Sequence, residues 1–358
     1  MDTPRPSSVS LSKEQRYTLR CLLIALSKAS RTLPYSLFTI KGKTVCRDRN
    51  PFNGGGFADV FRAEYDDQPV VLKLRVFTSR PDDNKRAFEV SLVWQRLSHR
   101  YILPFLGVER NVFYPHYAIM SPWAENGNIV EYIALLRKRK ERPPISEWMS
   151  QIASGLEYLH DECIVHGDLR GANILINEDL EVQLADFGLS RIAQNNSYES
   201  LGSRQGGTVR WMPPEVLKGA ASTFASDVYS FGCTWLEIVT GKPPFARIKH
   251  QYQVMEQVMR GIPPPWDFAD DGPVSRRWRF IRSCWNIDPA SRPRAAKLTK
   301  ECLHLIYDFG SGDRDDFPIL PTSPAVIRSI ALDSLSLRFL NNGIFAQNVS
   351  SGRFSTAC

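Results

Sequence analysis

The feature that most constrains this chain is an ordered series of polar residues at short, fixed intervals. It runs His166-Gly167-Asp168-Leu169-Arg170-Gly171-Ala172-Asn173, then Asp186-Phe187-Gly188, then Pro213-Pro214-Glu215. His166 has no second histidine nearby and reads as a packed core residue, not a metal ligand. A tripeptide such as Asp-Phe-Gly says little alone: Asp308-Phe309-Gly310 repeats it near the carboxyl end with no such series before it, and that copy is read as coincidence. The first copy takes its weight from the spacing of Asp168, Asn173 and Glu215 around it.

With these motifs in this order, residues 45–305 resemble the protein-kinase family, closest in style to the tyrosine-kinase-like serine/threonine kinases, including the sets expanded in fungi. The resemblance implies an α+β, two-lobed protein kinase fold, with a small antiparallel-sheet lobe and a large, mainly helical lobe. It implies ATP and Mg2+ as cofactors and a protein as substrate. Phosphoryl transfer asks a protein mainly for positioning and charge neutralisation. In the family's terms Asp168 would accept or orient the proton of the substrate hydroxyl. Asn173 and Asp186 would be the metal ligands, Asp186 holding the ion that bridges the β- and γ-phosphates. Arg170 stands where serine/threonine kinases usually carry a lysine, and a guanidinium serves that charge role with different geometry.

Upstream, Asn53-Gly54-Gly55-Gly56-Phe57-Ala58-Asp59-Val60 resembles the loop that covers the phosphates. Aligned on Val60, Gly55 takes the second glycine slot, Asn53 the first and Ala58 the third. Asparagine tolerates left-handed backbone and alanine adds one methyl, so a weaker grip on nucleotide is expected, not its loss. Val70-Val71-Leu72-Lys73 resembles the strand whose lysine pairs the α- and β-phosphates. Its expected partner is Glu89, but Glu89 to His99 is one residue longer than the usual spacing, which would put Val90 in the glutamate's place; one residue is about 100° of helix rotation. Glu89 as ion-pair partner and Glu89 as a solvated carboxylate both stay open. In Met120-Ser121-Pro122-Trp123-Ala124 the resemblance places the hinge, with Ser121 as gatekeeper. Adenine would take the Pro122 carbonyl and the Ala124 N–H.

Further along, Asp227 is expected to anchor the catalytic loop from a buried helix, and Arg292 to pair with Glu215 as a structural contact. Gly167 stands where many kinases carry an arginine that reads a phosphorylated activation loop. Phosphate on Ser197, Tyr198, Ser200 or Ser203 would then lack its usual principal partner, with Arg191, Arg204 or Arg210 as substitutes.

The rest of the chain frames that domain. Residues 1–10 are expected to be disordered, and residues 11–44 to form a helical extension docked on the small lobe, since Leu19, Leu22, Leu23 and Leu26 fall at helical spacing. The small lobe is assigned to 45–120, the large lobe to 125–305, and a poorly packed tail to 306–358. A formal net charge of +7 could suggest an acidic partner. The densest run, Arg137-Lys138-Arg139-Lys140, reads instead as a solvated face, and no nucleic-acid partner is expected. Seven scattered cysteines without a C-x-x-C pair argue against a disulfide framework or zinc site. The apolar stretch Cys21 to Leu26 falls far short of the roughly 20 residues of a membrane span. A cytoplasmic or nuclear protein is expected.

Three readings follow. The first is an active kinase acting on protein serine or threonine, favoured because Thr208 resembles the threonine that such enzymes bond to the catalytic aspartate. The second is a pseudokinase serving as a nucleotide-binding or scaffold module, suggested by Asn53, Ala58 and the displaced glutamate. The third is a small-molecule phosphotransferase, disfavoured because residues 207–215 resemble a peptide-docking segment.

Overall fold

The computed structural model describes residues 12–30, 32–39, 41–46, 50–55, 58–74, 90–186, 191–192, 208–265 and 276–307. The small lobe is an antiparallel sheet of β1 (Thr44–Val45), β2 (Asn53–Gly55), β3 (Ala58–Tyr65), β4 (Gln68–Leu74), β5 (Gly107–Glu109) and β6 (Ala118–Pro122). Its order is β1-β3-β4-β6-β5, and β2 pairs with β3 as β1 does. The pieces β1 and β2 therefore share one edge of β3, and the sheet has five strand positions.

Strand alternation sorts the side chains. Phe61, Ala63, Val70, Leu72, Ala118 and Met120 form a buried cluster. The register Val60↔Lys73 and Val71↔Ser121 puts the intervening residues on the opposite face. Val60, Val71, Lys73 and Ser121 thus line one side of the sheet, the side toward the cleft between the lobes.

The large lobe is built on two buried helices. One is α3 (Ile145–Asp161), reached through α2 (Ile129–Lys138); α3 buries Trp148, Met149, Ile152, Leu156 and Leu159. The other is α5 (Phe224–Thr240), which follows the short α4 (Pro214–Leu217). A capping box between Thr223 and Ser226 starts α5, and Gly241 ends it with φ 67°, a left-handed cap that glycine adopts without strain. Further helices are α6 (Gln251–Met259), α7 (Arg276–Cys284) and α8 (Ala295–Tyr307), the last packed along α3. Between α3 and α4 lie the short strands β7 (Ile164–Val165), β8 (Ile174–Ile176), β9 (Val182–Leu184) and β10 (Arg191–Ile192), with β8 paired to β9 and β10 to β7.

One expectation changes here. The extension helix, α1 (Lys13–Ser30), is bonded to the large lobe: Arg20 donates to the carbonyl and carboxylate of Glu162, just past α3. Beyond the helix, residues 38–39 pair with the small lobe at Val108. Leucine periodicity predicts the helix, but the docking is decided by the buried arginine, which must follow its carboxylate partner. The basic run Arg137–Lys140 is exposed along its length, and Arg137 also donates to the Val239 carbonyl at 2.7 Å, a cation placed at the C-terminal end of α5.

Candidate active site

The site is organised by two carboxylates of α5. Asp227, 1% exposed, accepts the backbone N–H groups of His166 and Gly167, each at 2.9 Å, and meets His160 Nε2 at the same distance. Ten residues on, Glu237 accepts the Gly171 N–H at 2.8 Å and the Trp211 indole N–H at 3.1 Å. The loop 166–173 is therefore pinned at both ends by one helix. Its two glycines answer local needs. Gly167 has φ 78°, in the left-handed region. A Cβ on Gly171 would collide with the Val130 side chain and come within 2.9 Å of Glu237 Oε2. His166 is fully buried, and that burial pulls its pKa down, so the imidazole stays neutral; its Nδ1 accepts the Asp168 N–H at 3.3 Å.

The pinned loop presents Asp168. Asn173 Nδ2 donates to both the carbonyl and the carboxylate of Asp168, each at 2.8 Å, which leaves the amide oxygen of Asn173 available as an acceptor. Arg170 Nε stands 3.6 Å from Asp168 Oδ2. Burial pushes the Asp168 carboxyl up to about 6; Arg170, Asn173 and Lys73 oppose the shift, and the neighbouring Asp186 adds to it. Asp186 follows β9, whose end is tied to the loop by Ala185 N–H donating to the Asn173 carbonyl at 2.9 Å. It adopts φ 61°, uncommon for a non-glycine residue and a form of local strain that collects at functional sites.

Across the cleft, Lys73 Nζ lies 2.6 Å from Asp186 Oδ2. Lys73, Asp168, Arg170, Asn173 and Asp186, predicted from widely separated stretches, are thus brought together. The hairpin expected around the glycines forms, with Asn53 paired to Val60, Gly54 to Asp59 and Gly55 to Ala58. Gly56, and Glu89 with its proposed pairing to Lys73, lie outside the described residues, as do the loop positions 193–207.

The hinge geometry accounts for how adenine would be met. The Leu106 N–H donates to the Met120 carbonyl at 3.0 Å, and β5 pairs with β6 no further than Met120. By alternation the Pro122 carbonyl points to that same side, where the ladder has ended and the cleft begins. Trp123 N–H is taken by the Pro69 carbonyl at 3.2 Å, which turns the next N–H, that of Ala124, away from the sheet. Buried Ser121 supplies a small side chain behind.

The donor set fits a nucleotide–metal pair. Among the described residues no three His, Cys, Asp or Glu side chains gather as a metal cage. One carboxylate and one amide oxygen suit an ion that completes its shell with phosphate oxygens and water. Glu237 and its hold on Gly171 and Trp211 were missed in the sequence. The readable sign was an ionisable residue inside the apolar run Trp235-Leu236-Glu237-Ile238-Val239. At the far side, Arg292 grips Glu215 with two bonds of 2.7 and 2.8 Å, as expected.

Comparison with known proteins agrees with this arrangement. The model of the family described as protein tyrosine and serine/threonine kinase matches residues 49–302. Among similar proteins, serine/threonine-protein kinase STY17 of Arabidopsis thaliana is 26% identical over 73% of this chain and 44% of its own length. Serine/threonine-protein kinase STY46 of the same plant is 24% identical over 72% and 43%. Cytokinesis protein sepH of Emericella nidulans is 32% identical over 69% of this chain and 18% of its own length. The chain spans less than half the length of these relatives. A family match over most of the chain, and a cleft that assembles the family's motifs, establish that the chain belongs to the protein tyrosine and serine/threonine kinase family.

Proposed function

We propose that this chain is an active, Mg2+-dependent kinase that transfers the γ-phosphoryl group of ATP to serine or threonine hydroxyls of proteins. The observation that carries the reading is the convergence of Lys73, Asp168, Asn173 and Asp186 on one cleft, with Lys73 Nζ 2.6 Å from Asp186 and Asn173 bonded to Asp168. In that cleft Lys73 binds phosphate oxygens, while Asp186 and the Asn173 amide oxygen hold the cation. When bound, Mg2+ neutralises charge on the phosphate oxygens. Asp168, fixed by Asn173, orients the acceptor hydroxyl and receives its proton. Arg170, beside Asp168, adds positive charge where the transferred group passes. Serine/threonine preference is supported by the two plant relatives, both named serine/threonine-protein kinases. Domain limits of 45–305 and a cytoplasmic or nuclear setting complete the proposal.

The test is an initial-rate assay of the full chain with labelled ATP, MgCl2 and a generic acceptor protein, with phosphoamino-acid analysis of the product. Label on serine or threonine that vanishes in Asp168→Asn supports the reading. Nucleotide binding without transfer would make the chain a pseudokinase, and label on tyrosine alone would overturn the substrate class.

A further inference from the structure

The hinge at 121–127 joins the lobes covalently, and the N-terminal segment makes a second connection behind them. At its start Arg20 is 4% exposed, and its guanidinium donates to the backbone carbonyl and the carboxylate of Glu162. Arg16 adds a contact to the same carboxylate at 3.2 Å. Glu162 caps the C-terminus of α3 and lies four residues before His166. One turn back on α3, Tyr158 accepts the Ser98 N–H at 2.9 Å and stacks on His99 with ring centroids 4.8 Å apart. Arg16, Arg20 and Glu162 all act electrostatically on the Tyr158 hydroxyl. Residues 98–103 lead from the helical residues 90–94 into β5. They are tied to the large lobe again by Leu103 N–H to the Leu184 carbonyl at 3.0 Å and Leu184 N–H to the Tyr101 carbonyl at 2.9 Å.

The other end of the segment is held by the small lobe. Phe38 bridges Val108 in parallel, and the Thr39 N–H donates to the Val108 carbonyl at 3.0 Å. The Thr39 hydroxyl donates to Glu109 Oε2 at 2.8 Å, and Arg110 lies 4.7 Å over the Phe38 ring. Between the two anchorages Ser27 Oγ donates to the Thr32 carbonyl at 2.8 Å, and Leu33 and Leu37 are buried. A segment fixed to both lobes must surrender one anchorage, or resist, when the lobes swing apart. A buried arginine bonded at two points is costly to release, because its partner would be left uncompensated.

We propose that α1 and residues 32–39 form a strap across the back of the two lobes that restrains opening of the cleft, with Arg20 as the positioning residue that latches it on Glu162. The strap acts where Tyr158 receives Ser98 and His99, so latch and cleft are coupled in both directions. Its kinetic consequence, retention of nucleotide, rests on the function proposed above; the coupling of its two ends does not.

The test uses the full chain, comparing wild type with Arg20→Glu, Glu162→Arg and the double swap, and with Arg20→Gln as a milder variant should the reversals fail to fold. Amide hydrogen exchange is read at α1 and at residues 35–39, and release of fluorescent ADP is followed by stopped flow. Each single change is expected to speed exchange about tenfold at α1 and at 35–39 alike. ADP release is expected to quicken about fivefold. The double swap is expected to bring both back near wild type. Faster exchange at α1 with 35–39 unchanged would show two independent dockings and overturn the strap. Unchanged exchange at both ends in every single variant would overturn the latch. Coupled exchange in a chain that binds no ADP would leave the strap standing and refute the nucleotide reading instead.

Discussion

Glu237 Oε2 accepts the backbone N–H of Gly171 at 2.8 Å, so a buried carboxylate on α5 fixes the far end of the loop that carries Asp168 and Asn173. Burial raises the Glu237 pKa, and the bonds from Gly171 and Trp211 oppose that shift. Glu237→Ala would strand two buried donors, a loss of about 2–3 kcal/mol. Phosphoryl transfer by the variant should fall by one to two orders of magnitude in kcat, with little change in nucleotide Kd. Glu237→Gln keeps an acceptor and should lose far less. Unchanged kcat in Glu237→Ala would mean that Asp227 alone holds the loop.

Gly171→Ala should resemble Glu237→Ala, because the added methyl meets Val130 and Glu237 rather than open space. The expected loss is about 1–3 kcal/mol, read as a lower urea midpoint at unchanged m-value.

Asp168 makes stability depend on pH in a direction that is easily checked. Burial holds its folded-state pKa at about 6, against 3.8 ordinarily. The folded protein therefore binds this proton more tightly than the unfolded chain. The stabilisation is complete below 3.8 and is lost as pH rises through about 6. In protein free of nucleotide and metal, Asp168→Asn should be the more stable form at pH 7.5, by between about 1 and 3 kcal/mol. The advantage should shrink toward zero near pH 4. Denaturation curves at the two pH values check it, and an advantage that grows on acidification would contradict the assigned burial.

The pair of Glu215 and Arg292 should behave as structure. The Arg292 side chain is fully buried, and it also donates to the carbonyls of Ala225 at 2.9 Å and Asn286 at 2.8 Å. Glu215→Ala should cost about 3–5 kcal/mol, seen as a lowered melting temperature and a small soluble yield, while any folded fraction keeps wild-type nucleotide affinity.

Activity should not depend on phosphate in the loop at 193–207. Gly167 provides no cation, and Arg210, one candidate substitute, already donates to the carbonyls of Pro244, Phe245 and Ile248 at 2.7–2.9 Å. Phosphatase-treated enzyme, and a variant with Ser197, Tyr198, Ser200 and Ser203 replaced by Ala or Phe, should retain initial rates within about tenfold of wild type, some 1.4 kcal/mol in barrier. A larger drop in both would show that another basic residue reads the loop.

How far the sequence alone reaches follows from the range of the interactions. The loop 166–173, Asp186 and the Val71–Lys73 strand were legible because each is a short motif whose residues are chemically unusual for their surroundings. Val60, Val71, Lys73 and Ser121 were legible through the resemblance, and the register places them on one face of the sheet. The docking of α1 was not legible: Arg20 and Glu162 are 142 residues apart, and neither stands out from other surface-type charges until burial is seen. The bond from Arg137 to the Val239 carbonyl was not legible either, because no side-chain pattern marks a backbone partner. Glu237 was legible in principle, as a lone acid in an apolar helix, but its partners are a backbone amide and an indole from two other segments.

In the proposed function Lys73 and Asp186, 2.6 Å apart, hold nucleotide phosphate and its cation. The direct measurement is phosphoryl transfer from labelled ATP to an acceptor protein by wild type, Lys73→Met and Asp186→Asn, with folding of each confirmed by its melting curve. Wild type should transfer phosphate in Mg2+, and both variants should lose at least about a hundredfold, or 2.7 kcal/mol in barrier. Equal transfer by wild type and Asp186→Asn would contradict that function.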